Sequence, residues 1–224
     1  MWGVIGGIAL SATFIGAEVT RALIDESAGA VKITKMPVTV KYRTFDPHRP
    51  PPEMPRLKPP ESALCVAEFL ASASVSGQAV QTDATRAKLT INRVDVTLQL
   101  NITIWLPPNP PQMVVKHEEG HRQIAEYFYE KADAIVKRVA QPYIGKLIDI
   151  SGPDVRKMLT LALNRIGEDI TEAYKNQMPV EQAEVRYDTI TDHSRNNIPV
   201  PEAVAQAIHE TLASFDPTRL PAKK

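Results

Sequence analysis

His117-Glu118-Glu119-Gly120-His121 is the segment around which the chain is organised, because it places two histidines four residues apart. Residues at this spacing lie on one face of an α-helix, with roughly 5–6 Å between their Cβ atoms, so both imidazoles can reach one metal ion. Zinc held by two histidines and a third ligand keeps a position for water, and a glutamate in the place of Glu118 can act as general base. The segment therefore predicts a metal-dependent hydrolase in which His117 and His121 bind zinc and Glu118 is catalytic.

The sequence around this segment predicts one long amphipathic helix. Asn109 is a good N-cap, Pro110 suits the first helical position, and Pro142 ends the pattern. Side chains that are apolar or could bind a metal recur with the period of a single helical face, namely Val114, His117, His121, Ile124, Phe128, Ile135 and Val139. Both histidines thus fall on the inward face. The alternative interpretation is a packed helix on which two core histidines stack without a metal.

The first half of the chain predicts a β-sheet. The stretch Lys88–Leu106 alternates apolar and polar residues over its whole length, as expected of a long amphipathic strand. Val31–Phe45 predicts a half-buried strand that begins or has an edge at Pro37, and the alternation in Ala63–Val75 favours a strand over a helix. Between them, Asp46–Pro60 carries seven prolines and predicts an exposed loop.

The second half predicts helices, so that the expected fold is α+β, with an N-terminal antiparallel sheet followed by a helical half. After the helix that carries the two histidines, a second helix is indicated from about Ser151 to the residue before Pro179. A short helix is expected over Val180–Arg186 and a last one over Pro201–Phe215, with Tyr187–His193 as a loop between them. The inward residues expected in the last helix are Val204, Ile208 and Leu212.

Length and charge limit the classes of function. A chain of 224 residues is long enough for one domain with a proper core, and we expect that domain at residues 30–216, followed by a tail at 217–224. Lysine and arginine total 26, as do aspartate and glutamate, so the net charge of zero argues against nucleic acid as a partner. The single cysteine, Cys65, excludes an intramolecular disulfide and is typical of a small buried hydrophobic side chain.

The N-terminal segment, residues 1–22, is predicted to be a signal peptide. Its apolar run from Val4 to Ile15 is too short for a membrane span but has the length of a signal-peptide core, although no lysine or arginine precedes it. Export predicts a periplasmic or secreted protein with no stable membrane insertion in its mature form. The alternative is a buried first helix or strand.

The third metal ligand is not determined by the motif itself. The extended pattern with a glycine and a third histidine on the same helix is excluded, because Ile124 and Tyr127 stand at those positions. Glutamates on the next helix and polar residues of the later loop remain as candidate donors: Glu168, Glu172, Asp188 and His193.

Two segments together carry a resemblance to a known family. The helix segment His117–Glu126, preceded by Pro107-Pro108, and the later Tyr187-Asp188-x-x-Thr191-x-His193 resemble a bacterial family of originally unknown function, described as secreted zinc-dependent proteases. That family shows His-Glu-x-Gly-His followed by Tyr-Asp-x-x-Thr-x-His-Gly, and this chain has Ser194 in place of the last glycine. The resemblance covers about residues 31–197.

The resemblance implies a role for each residue of the later segment. It makes His193 the third zinc ligand, Asp188 a partner that orients an imidazole, and Tyr187 a catalytic donor to the developing oxyanion. The expected function is a zinc metallopeptidase that acts on a peptide or protein substrate. Two alternatives remain, a non-catalytic zinc-binding structural or interaction protein of the cell envelope and a metal-free interaction module that uses the proline-rich loop.

Overall fold

The computed structural model describes residues 12–14 and 30–216 of the chain. The strands in this part are β1 Ala12–Phe14, β2 Ala30–Lys35, β3 Thr39–Thr44, β4 Leu64–Asp83, β5 Arg86–Leu106 and β6 Leu147–Ser151. The helices are α1 Gln112–Glu130, α2 Ala132–Ala140, α3 Val155–Asn176, α4 Val180–Thr191 and α5 Val200–Ser214, with a single 3-10 turn at Gln141–Tyr143. The predicted signal segment, apart from residues 12–14, and the predicted tail lie outside the described residues.

The strands of the described residues form one mixed sheet with β5 at its centre. On one edge β5 pairs antiparallel with β4 from Arg86 to Trp105. On its other edge it pairs with β6, β2 and β3 in succession, antiparallel with β6 and parallel with the other two. The short β1 pairs parallel with β4 at Gly77–Ala79. The sheet therefore contains both kinds of pairing.

The predicted antiparallel sheet is wrong for the first strands. β3 ends at the same end of the sheet at which β4 begins. Thr44 lies beside Leu106 there, and Leu64 lies beside Trp105. The loop 45–63 crosses this end of the sheet, and β5 then returns between β3 and β4. A strand inserted between two oppositely directed strands is parallel to one of them, so β3 and β5 are parallel. The order of patterns along the sequence does not reveal this insertion.

The main core lies between one face of the sheet and the helices. The inward side chains of β5 are almost fully buried, and they pack against apolar residues of α1, α2 and α3. These inward side chains are Val94, Val96, Leu98, Leu100, Ile102 and Ile104. Burial of this alternating set confirms the strand predicted over Lys88–Leu106 and gives the helices a rigid support.

The proline-rich segment is a loop, as predicted, and it has a small core of its own. Met54 inserts beside Phe45 and Trp105, and all three are buried. Trp105 follows Ile104 along β5 and so faces the opposite side of the sheet from the main core. The loop is thereby fixed against the sheet at the end where β4 starts.

The helices begin and end differently from some of the predictions. The single helix expected from Pro110 to Pro142 is two helices that meet at Lys131, and Asn109 does not cap the first one, since it has φ 51° and precedes Pro110 and Pro111. Asp154 caps α3 by accepting a hydrogen bond from the backbone N–H of Lys157 at 3.0 Å.

The last helix is close to its predicted extent. Val204 and Ile208 are buried in α5 as expected, whereas Leu212 is exposed. Among the described residues no helix combines the length and apolar character that crossing a membrane requires.

Candidate metal centre

Helix α1 brings the two histidines and the glutamate of the motif to one place. His117, His121 and Ile124 lie on the stripe that faces the protein, and His117 is only 8% exposed. The two Nε2 atoms are 3.3 Å apart, and the rings meet edge to face. The predicted convergence of the two imidazoles is therefore present in the structure.

Helix α4 adds the carboxylate of Asp188 to this pair. Its Oδ1 atom lies 3.1 Å from Nε2 of His117 and 3.1 Å from Nε2 of His121. Although burial acts to raise it, the hydrogen bonds from these two imidazoles hold the pKa of Asp188 well below its ordinary value. Asp188 thus lies among the candidate donor atoms themselves, as the residues allowed, whereas the family resemblance implied that it only orients an imidazole.

The expectation of a loop over Tyr187–His193 is wrong, because α4 continues to Thr191. One face of this helix is buried through Val180, Ala183, Tyr187 and Thr191, which is the spacing of a helical stripe. The sequence pattern does not show this stripe clearly, because half of the residues near the C-terminal end of α4 are short and polar. Asp188 is therefore held by a helix and not by a loop.

His193 lies just beyond the end of α4. Asp192, His193 and Ser194 all have positive φ angles, of 46°, 50° and 72°, so the chain turns sharply in left-handed backbone. The backbone N–H of His193 donates to the carbonyl of Asp188 at 3.2 Å, and its Nδ1 atom lies 3.6 Å from Asp188 Oδ1. This turn points the imidazole back toward the other donors.

The donor atoms fit a divalent metal ion. One donor atom each from His117, Asp188 and His193 lies within 4.8 Å of the other two, and His121 Nε2 is in contact with two of these residues. In a tetrahedral zinc site, ligands at roughly 2.0–2.2 Å from the ion are about 3.3–3.6 Å apart. The separations of 3.1 Å, 3.1 Å and 3.3 Å among His117, His121 and Asp188 are close to that value. The group could hold a metal ion.

No family model, curated protein or solved structure matches this chain. The resemblance to the family of secreted zinc-dependent proteases consequently stays a prediction that rests on the two sequence segments.

Thr191 fixes the orientation of His117. Its hydroxyl donates to the backbone carbonyl of Tyr187 at 2.7 Å, which leaves Oγ1 as an acceptor 3.4 Å from Nδ1 of His117. With a metal ion bound, the proton of His117 would therefore lie on Nδ1, and the lone pair of Nε2 would be free to bind the metal. Lone pairs and a carboxylate in such close contact require positive charge between them, which a metal ion or protonated imidazoles would supply.

Tyr187 packs against both histidines of the motif. Its ring stacks on His117 with 5.0 Å between centroids and 19° between planes, and it meets His121 edge to face. Its hydroxyl lies against Gly120, where any added Cβ would collide with it, and has no hydrogen-bond partner among the described residues. The predicted donation by Tyr187 to an oxyanion has no support in this arrangement, because the side chain is fully buried under α1.

Glu118 is the most buried acid of the motif, with 5% of its surface exposed. Burial, together with the negative charge of Asp188, raises the pKa of Glu118 to about 8, while a hydrogen bond from the backbone N–H of Cys65 acts to lower it. That hydrogen bond ties the carboxyl group to the second residue of β4. Its neighbour Glu119 points elsewhere and binds Arg122.

A cavity of about 120 Å³ opens beside these groups, and the predicted metal ligands and the predicted base line it. Glu184, one helical turn before Asp188, and Glu61, from the loop before β4, also line it. Burial raises the pKa of Glu184 to about 7, with the nearby charges of Asp188 and Glu181 acting in the same direction. Sequence reasoning missed Glu184, although its four-residue spacing from Asp188 is the signal that could have found it.

The other predicted donors are not brought to the cavity. Glu168 lies on α3 with 63% of its side chain exposed and pairs with Arg165. Glu172 lies one turn further along α3 and is also exposed. Among the four candidates from the sequence, the structure therefore gathers Asp188 and His193 at the site and leaves the two glutamates of α3 outside it.

Proposed function

We propose that this chain is a zinc-dependent peptidase that acts outside the cytoplasm, in the periplasm or after secretion. The observation that carries the proposal is the close cluster of His117 Nε2, His121 Nε2 and Asp188 Oδ1 with the buried carboxyl group of Glu118 next to it. Metal ligands and a general base at the wall of one cavity are what the hydrolysis of a peptide bond requires. The export of the protein rests on the N-terminal sequence alone.

The donor chemistry favours zinc. Imidazole nitrogens together with one carboxylate oxygen are typical ligands of catalytic zinc, whereas magnesium and calcium prefer oxygen ligands. Zinc bound here would supply a Lewis acid that polarises a carbonyl group and lowers the pKa of a water molecule. His117 and His121 would hold it together with Asp188, His193 or both.

Glu118 is assigned the proton transfers. Its carboxylate accepts a proton from the attacking water, and the resulting carboxylic acid then donates that proton to the nitrogen of the leaving amine. The hydrogen bond from Cys65 and the packing of α1 on the sheet fix where this carboxyl group lies. Thr191 and Tyr187 position His117 and take no part in the proton transfers.

The same geometry also favours one alternative, a structural zinc site. Four side chains converge, and zinc bound by His117, His121, Asp188 and His193 together would have no open position for water. The metal would then tie the end of α4 to α1 without catalysis. Metal analysis alone does not separate the two functions, because both bind zinc.

The decisive variant is therefore Glu118→Gln. We expect wild-type protein to contain about one zinc ion per chain and to cleave an unfolded protein substrate, whereas E118Q keeps the zinc and loses about 10²–10⁴-fold in rate. The control is Glu119→Gln, since Glu119 neighbours the site but binds Arg122 instead. Zinc content is measured by elemental analysis and cleavage by mass spectrometry.

Equal cleavage by E118Q and wild type would refute the role of Glu118. Stoichiometric zinc without cleavage of any protein or peptide by the wild type would favour the structural site, and a chain without zinc would remove both functions.

A further inference from the structure

The cavity beside the metal ligands contains more negative charge than the proposed reaction uses. Glu118 and Asp188 have assigned roles, but Glu61 and Glu184 line the same cavity. Within the described part of the chain, neither lysine nor arginine lines it. A divalent ion would offset at most two negative charges, so full ionisation of the four carboxyl groups would leave two of them without a balancing charge.

Glu184 is the acid without a partner. It lies one helical turn before Asp188 on α4, is half-buried, and lines the cavity beside the metal ligands. Among the described residues it makes neither a hydrogen bond nor an ion pair, whereas Glu61 accepts a hydrogen bond from the backbone N–H of Lys58 at 2.7 Å. A half-buried carboxylate that faces a cavity without a cationic partner is placed to bind a positively charged group there.

The cavity limits what that ligand can be. Its volume of about 120 Å³ has room for a short group and not for a second chain segment. A primary ammonium group is compact and offers three hydrogen-bond donors to surrounding oxygens, whereas a guanidinium is planar and larger. An ammonium beside Glu184 would supply the missing positive charge and the missing hydrogen bonds together.

We propose that Glu184, assisted by Glu61, binds a primary ammonium group of the substrate next to the scissile bond. This inference rests on the proposed function, since it assumes a metal held by the donors of α1 and α4. An ammonium group has two sources in a peptide, the N-terminal amine and a lysine side chain. The first would make the protein an aminopeptidase, and the second would make it an endopeptidase that selects lysine.

The test uses four hydroxamates, which bind zinc through the same group and differ only in their amines. Lysine hydroxamate carries both amines, Nα-acetyl-lysine hydroxamate only the side-chain amine, norleucine hydroxamate only the α-amine, and Nα-acetyl-norleucine hydroxamate neither. Their dissociation constants are measured by calorimetry on the full-length zinc-loaded protein. Because this readout is binding, it does not depend on turnover.

We expect the ligand with the correct amine to bind about 10-fold to 100-fold more tightly than the ligand without amines, as for a hydrogen bond to a charged group. The comparison of the two singly charged ligands identifies the source of the ammonium. In Glu184→Gln the preference is expected to disappear, whereas Glu181→Gln, an exposed acid on the same helix, should retain it.

Each remaining outcome is informative. Equal binding of all four hydroxamates to a zinc-loaded wild type would overturn the inference and leave the proposed function intact. Two zinc ions per chain, with the second lost in E184Q, would overturn it in favour of a second metal site. A wild type without zinc would refute the proposed function and the inference with it, and elemental analysis shows this before any ligand is added.

Discussion

Tyr187 and Gly120 pack closely against each other next to the candidate metal centre. The phenol ring supports His117 by stacking, and its hydroxyl occupies the space that a side chain at position 120 would need. The glycine of the motif is therefore explained by close packing between α1 and α4. It is not explained by backbone conformation, since Gly120 lies within the regular part of α1.

Replacing Tyr187 with phenylalanine tests whether the tyrosine acts by packing or by donation. The hydroxyl has no hydrogen-bond partner among the described residues, so we expect Tyr187→Phe to change the free energy of unfolding by about 1 kcal/mol or less. Zinc content and peptide cleavage should be unchanged. Loss of an oxyanion donor would instead cost about 10²–10³-fold in turnover number, and such a loss would restore the role suggested by the family resemblance.

The residues of the site divide into those that local spacing reveals and those that it does not. His117, Glu118 and His121 are neighbours in sequence, and helix geometry alone brings them together. Asp188 and Glu184 reach the same cavity only through the packing of α4 on α1, which no local pattern records. For this reason the residues alone could name Asp188 and His193 only as candidates, and the choice of His193 as the ligand rested on the family resemblance.

At the level of elements, the end of α4 is the most strained part of the site. Ser194 has φ 72°, in the left-handed region where a residue with a Cβ costs about 1–2 kcal/mol and glycine costs nothing. The family that this chain resembles has glycine at the corresponding position, and the backbone gives a physical reason for that preference. Ser194 consequently makes the turn at a cost in stability.

We expect Ser194→Gly to raise the free energy of unfolding by about 0.5–1 kcal/mol, because the relief of strain exceeds the added flexibility of the unfolded chain. Denaturant unfolding of the zinc-loaded protein measures the change. Ser72→Gly, in the interior of β4, is the control and should lower stability, since a strand gains nothing from glycine. A decrease in S194G would mean that the turn is held by contacts of the serine side chain.

The long elements were predictable where one face is uniformly apolar, and the short ones were not. β5 alternates without interruption and α5 has a clear stripe, so both lie close to their predicted limits. The strand β6 was not predicted, because it spans only five residues and a segment this short shows little periodicity. The parallel placement of β2 and β3 depends on the insertion of β5 and so belongs to tertiary structure.

At the scale of the whole molecule, the candidate metal centre joins parts that are far apart in the chain. Its donors come from α1 and from the end of α4, and His121 and Asp188 are 67 positions apart in the sequence. A ligand that binds only the folded state stabilises it by mass action, by about 2.7 kcal/mol when its free concentration is one hundred times the dissociation constant.

Chelation is therefore expected to lower the midpoint of thermal unfolding, and added zinc to restore it. His193→Ala and Asp188→Asn should each reduce the rise in midpoint caused by zinc, whereas His209→Ala, on the exposed side of α5, should not. Differential scanning calorimetry with and without zinc measures all four proteins. A full zinc effect in H193A would leave Asp188 as the third ligand, and a full effect in both variants would contradict the site.

Because β5 is at the centre of the sheet, most of the sheet cannot form before β5 has been synthesised. Four other strands, β2, β3, β4 and β6, depend on β5 for their backbone partners, yet β2 and β3 precede it in the chain by the whole of β4 and the proline-rich loop. During synthesis from the N-terminus β2 and β3 emerge before their partner, which is complete for β2 only at Leu98 and for β3 only at Leu106. Each of these two strands thus stays unpaired for more than a quarter of the translation of the chain, and the metal centre forms later still, because it needs α4.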